Sequence, residues 1–127
     1  MATVTQTRDP VIDPTDGAML ERRKISIADA AIAASGSSDV FYAGDRGTLR
    51  LTQTTSAVSG TSPTLDVTVM TCQTKDGTFV SAGTLTQITG AGGQFKPFSV
   101  GRFVRLDWTL GGSSTPTVTV GFEGELV

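Results

Sequence analysis

The chain has 127 residues, room for one compact domain and too few for two. Only 38% of it is hydrophobic and 17% charged, with Gly, Ser and Thr abundant, a balance that suits short strands joined by many turns and burial completed against neighbours. A net charge of -2 gives no basic face for nucleic acid, and one cysteine excludes an internal disulfide framework. The complete lack of histidine removes the commonest general base and transition-metal ligand.

Residues 1–24 differ from the rest. Pro10 and Pro14 interrupt regular structure, there is little to bury, and residues 18–24 are too few for a stable helix. This stretch reads as an extended N-terminal arm that carries four of the ten basic residues: Arg8, Arg22, Arg23 and Lys24. Val11, Ile12, Met19 and Leu20 are its apolar contacts. The plain alternative is a loose terminus.

The domain proper runs from 25 to 127. Ile25 and Ile27 alternate with Ser26 and Ala28, and the alanines that follow leave helix and strand both open. Phe41 and Tyr42 are adjacent, so on a strand they point oppositely and one must face away from the core. Leu49 and Leu51, then Leu65, Val67 and Val69, alternate inward along two further runs. Between them residues 56–63 are Ser, Thr, Gly and Pro, the composition of a connection. Lys75-Asp76-Gly77 is the strongest turn signal, since Asp-Gly favours the positive φ of a type I′ hairpin. Pro97, in the run from Gln94 to Val100, marks an edge or bulged strand.

Residues 101–110 have the clearest pattern. Val104, Leu106, Trp108 and Leu110 share an apolar face, while Phe103, Arg105, Asp107 and Thr109 share the other. Gly-Gly-Ser-Ser-Thr-Pro follows, and Val118, Val120 and Phe122 then alternate again. This reads as a central hairpin with the sole Trp in its core. The expected fold is all-β, a single antiparallel β-sandwich (jelly-roll or Ig-like) of seven or eight short strands at roughly 8–12-residue spacing, with the arm outside it. Its core face is Leu49, Leu51, Leu65, Val67, Val69, Val104, Leu106, Trp108, Val118 and Val120.

No chemistry outweighs the ordinary structural roles of these residues. Asp9, Asp13 and Asp16 before Gly17 suggest calcium, but the spacing is wrong for a calcium loop and two prolines intervene. Glu123 and Glu125 lie on one strand, whereas a glycosidase acid pair flanks a cleft from separate elements. Cys72 has no histidine to form a thiolate, and the serine-rich loops contain no nucleophile-elbow motif. Gly90-Ala91-Gly92-Gly93 precedes no helix that would receive a phosphate. No enzyme, cofactor or metal site is expected. Nor is a membrane segment or signal peptide, because no apolar run is long enough.

Gly47-Thr-Leu-Arg-Leu51, the run from Ala57 to Val69, the Asp-Gly turn, and Arg102-Phe103-Val104-Arg105-Leu106-Asp107-Trp108 with its Gly-Gly-x-x-x-Pro sequel together resemble small β-sandwich structural proteins of tailed-bacteriophage virions. The resemblance spans about residues 39–124 and does not include the arm. It implies a capsid decoration (cement) or minor head protein, made in the host cytoplasm and placed on the capsid exterior. Its partners would be the major capsid protein and sister copies, as a homotrimer. Self-association is expected through Phe103 or through the edge bearing Phe95 and Phe98. The alternative is a carbohydrate- or receptor-binding module, or another minor structural subunit, of a phage tail. Burial of Phe103 against a sister chain would favour the first; exposure beside Tyr42 would favour the second.

Overall fold

A computed structural model describes residues 2–12 and 19–127, with side chains described for 2–7 and 23–127. The strands are β1 (Thr5–Ile12), β2 (Met19–Ile32), β3 (Gly36–Ser37), β4 (Phe41–Tyr42), β5 (Thr48–Cys72), β6 (Val80–Thr84), β7 (Gly92–Ser99) and β8 (Phe103–Leu126). There is no helix among the described residues. The protein is all-β and antiparallel, and hydrogen bonds join its strands into one sheet that curls as a half-barrel.

Two long strands organise everything else. β5 and β8 pair along nearly their whole lengths, from Leu49 opposite Leu126 to Cys72 opposite Phe103. Residues 48–55 of β5 also pair with β7, and residues 118–126 of β8 with β2, which in turn pairs with β1. At the other end, residues 68–71 of β5 pair with β6, and β8 receives the two short strands β3 and β4. Alternation therefore aims both halves at a common core. All ten residues of the expected core face are buried, joined by Ile25, Ile27, Phe98, Phe122 and Leu126.

The expected central hairpin is not formed. Residues 103–110 and 117–122 do not turn back on each other; they are successive parts of β8, and both face β5. Ser59 opposes Thr117 and Thr61 opposes Ser113, so four steps on β8 match two on β5. Positive φ at Ser114 and Thr115 absorbs the excess as a bulge. The turn-like composition of 111–116 thus bends a strand and does not reverse it. Residues 56–63 bend β5 at the same level. There Gly60, at φ +93°, lies so close to Pro116 that a Cβ would sit 2.7 Å from its Cα. Gly112, at φ +114°, approaches Pro63 in the same way, with 3.0 Å left for a Cβ. Each strand places a glycine against the other strand's proline.

The Asp-Gly turn is present in a different form. Gly77 N–H donates to Thr74 O at 3.1 Å, and none of Lys75, Asp76 and Gly77 has positive φ. The connection from Cys72 to Val80 is long enough to dispense with the twist-matched two-residue turn. Residues 5–12 and 19–26 form an antiparallel pair at the sheet edge, so the boundary drawn at residue 24 falls inside β2. Pro10 is tolerated because β1 is an edge strand, and Pro97 because β7 is one too.

Candidate interaction surface

β4 separates its two aromatic residues as the alternation requires. Phe41 is buried, while Tyr42 is 44% exposed on the outer face. Opposite Tyr42 on β8 stands Phe103, half-buried, with the ring centroids 5.2 Å apart and the planes tilted by 56°. That geometry lies within the range of favourable aromatic pairs.

The outer face continues along β8. Arg105 makes a two-pronged contact with Asp107, Nε to Oδ1 at 2.9 Å and Nη2 to Oδ2 at 3.3 Å. Its guanidinium also lies over the Phe79 ring, 4.5 Å from the centroid. The 73–79 loop folds over this end of the sheet and covers Cys72, a buried free thiol whose Sγ donates to Thr74 O at 2.8 Å.

On the other side of Tyr42 lies the arm. Gln6 Nε2 donates to Tyr42 O at 2.9 Å, and Tyr42 N–H donates to Gln6 Oε1 at 3.5 Å. One side-chain amide thus occupies both backbone groups of Tyr42, much as a neighbouring strand would. Arg23 also comes here: a Cβ on Gly44, which has φ +63°, would lie 2.8 Å from its guanidinium nitrogen. Gln6, Thr7, Arg23 and Tyr42 line one small hollow.

Of the expected contact residues, Arg23 and Phe103 are therefore brought together, with Tyr42 between them. Lys24 is half-buried further along the sheet, opposite Thr7 and Glu125. Arg8 pairs through its backbone with Arg23, Val11 with Leu20 and Ile12 with Met19, while Arg22 opposes Asp9. The side chains of these six residues (Arg8, Val11, Ile12, Met19, Leu20 and Arg22) lie outside the described residues, as do Asp13 and Asp16 entirely. Gln6 was not anticipated, because its partner is 36 residues away and no local pattern signals it. Glu123 and Glu125 sit two residues apart on the outer face of β8, exposed and half-buried respectively.

The surface can bind, through two aromatic rings, guanidinium groups and a strand edge. No three His, Cys, Asp or Glu side chains converge as metal ligands among the described residues, and no helix there is long and apolar enough to cross a membrane. No protein-family model matches the chain, and no curated protein matches it.

Proposed function

We propose that the chain is a non-enzymatic structural protein of a tailed-phage virion, binding the outer surface of the capsid shell and reinforcing contacts between major capsid subunits. In this reading the two halves of β5 and β8 act as the opposed leaves of a β-sandwich. The shell is gripped by the continuous surface of arm and outer face. The virion assignment draws on the sequence resemblance over residues 39–124. The observation that carries the binding surface is the Gln6–Tyr42 latch, which sets the arm, Arg23 and the Tyr42–Phe103 pair side by side. An aromatic pair with one exposed ring, flanked by guanidinium groups, is the composition of an interface centre.

The test is cosedimentation of the purified full chain with undecorated capsids of the source phage. Tyr42→Ala with Phe103→Ala should abolish attachment, and Arg23→Glu should weaken it more at low salt than at high salt. Attachment that survives all three substitutions would refute the proposal.

A second reading has an observation of its own. A carbohydrate- or receptor-binding module on a tail is expected to expose Phe103 beside Tyr42; here Tyr42 is exposed and Phe103 half-buried beside it, which meets that expectation in part. The tilt between the rings argues against a flat two-ring sugar platform and leaves Tyr42 as the one accessible face. Glycan binding lost with Tyr42→Ala, in a protein that ignores capsids, would establish this second reading instead.

A further inference from the structure

β7 presents its two aromatic residues to opposite sides. Phe98 is buried in the core, whereas Phe95 is 60% exposed on the outer face. Phe95 stands opposite Thr52 of β5, and Thr52 stands opposite Glu123 of β8. Arg50, two residues from Thr52, opposes Glu125, which opposes Lys24 of β2. These side chains line one shallow hollow, which adjoins the hollow beside Tyr42 at Thr7.

Charge on this face is balanced but incompletely paired. Lys24 and Glu125 each have an interaction of their own. Arg50 and Glu123 are exposed and, among the described residues, their side chains make no hydrogen bond or ion pair. They are diagonal neighbours on adjacent strands, a spacing of about 7–8 Å between Cα atoms. The face thus offers a guanidinium and a carboxylate, each awaiting a partner, beside an aromatic ring in water.

We propose that this face binds the same face of a second copy of the chain about a twofold axis, with Arg50 of each copy on Glu123 of the other. An isologous contact needs residues that are complementary in pairs, and Arg50 and Glu123 are such a pair. The geometry supplies an independent check. Take a flat lattice with about 4.8 Å between strands and about 3.3 Å per residue. The twofold that lays Arg50 over the other copy's Glu123 then leaves the two Phe95 positions only about 3 Å apart in projection. One operation satisfies both charges and covers both rings. Arg50 and Lys24 against Glu123 and Glu125 leave the hollow with no net charge, while the same operation sets Lys24 and Glu125 each within about 3 Å of its own image in projection, which keeps the contact weak.

The area sets the strength. Laid flat, five strands by about seven residues is roughly 550 Å² per copy, or about 1,100 Å² in all, an upper bound because the sheet curls. That is near the lower limit for a specific interface, so the dimer should be weak and form in the micromolar range or above. A twofold dimer also replaces the trimer expected from the sequence. The proposal does not depend on the virion reading, since failure to bind capsids leaves it intact.

Sedimentation equilibrium of the full chain, from micromolar to submillimolar concentration, tests it. The wild-type chain should pass from monomer to dimer. Arg50→Glu and Glu123→Arg should each raise the dimer dissociation constant by about tenfold or more, as both reciprocal pairs become repulsive. The double variant R50E/E123R should recover wild-type association, because it restores both pairs with their signs exchanged. Phe95→Ser should weaken the dimer without changing the circular dichroism of the monomer. All three positions are exposed, so loss of folding does not mimic the result. A monomer at every concentration, single variants that associate like wild type, or a double variant that stays dissociated would each overturn the proposal.

Discussion

Replacing Trp108 by alanine empties the largest site in the core. The indole is 8% exposed, faces Val67 across β5, and on its other side meets β3, where a Cβ on Gly36 would lie 3.5 Å from Nε1. Burying about 200 Å² of aromatic surface corresponds to about 5 kcal/mol, an upper bound because the unfolded chain already buries part of it. With the alanine Cβ still buried and the cavity term included, the expected loss is about 3–5 kcal/mol. Spread over the unfolding entropy of a chain this size, that is a drop in Tm of about 10–20 °C. Urea and thermal unfolding should be followed by far-UV circular dichroism, since the substitution removes the fluorophore. Trp108→Phe is the control and should lose far less, because most of the volume is kept. A Trp108→Ala protein that melts within about 2 °C of its parent would show that the indole is not packed as described.

Three further outcomes follow from the same contacts. Gly60→Ala and Gly112→Ala should each cost about 1–3 kcal/mol in urea unfolding, because both need positive φ and both meet the opposite strand's proline backbone. Gln6→Ala should cost about 1 kcal/mol and increase hydrogen exchange at the Tyr42 amide, which loses its acceptor. Cys72 should react with a thiol reagent only on unfolding in urea; rapid labelling of the native protein would mean that the 73–79 loop does not cover it.

The core was legible because strand alternation is a local property. Leu49 and Leu51, or Val104, Leu106 and Trp108, declare a common face whatever pairs with them. The path of the chain was not. A Gly-Gly-Ser-Ser-Thr-Pro segment supplies the same φ freedom to a reversal and to a bulge. Which one forms is decided by residues 56–63 of β5, whose composition is equally ambiguous. Prolines misled in a similar way. Pro10 argued against a strand, but a missing N–H costs nothing on the open side of an edge. At the candidate surface, Phe41 and Tyr42 had to diverge, and they do. The joining of Tyr42 to the arm through Gln6 depends on tertiary placement and leaves no trace in spacing. Likewise, Phe95 and Phe98 read as one aromatic edge, while three residues along a strand means opposite sides of the sheet.

The extended β5–β8 ladder also ties folding to the order of synthesis. Its nearest pair, Cys72 and Phe103, is separated by 31 positions (103 − 72), and its farthest, Leu49 and Leu126, by 77 (126 − 49). Closing the shorter loop costs least, so the ladder should start at Cys72 and zip outward, each new pair adding little further loop entropy. The final stretch of β8, residues 118–126, lies between β5 and β2 and is the middle strand of its half of the sheet. A growing chain therefore holds Ile25, Ile27, Leu49 and Leu51 ready but unburied until residues 118–126 leave the ribosome. A chain cut before residue 118 loses the strand on which β2, and through it β1, and half of β5 assemble, with those apolar side chains left in water.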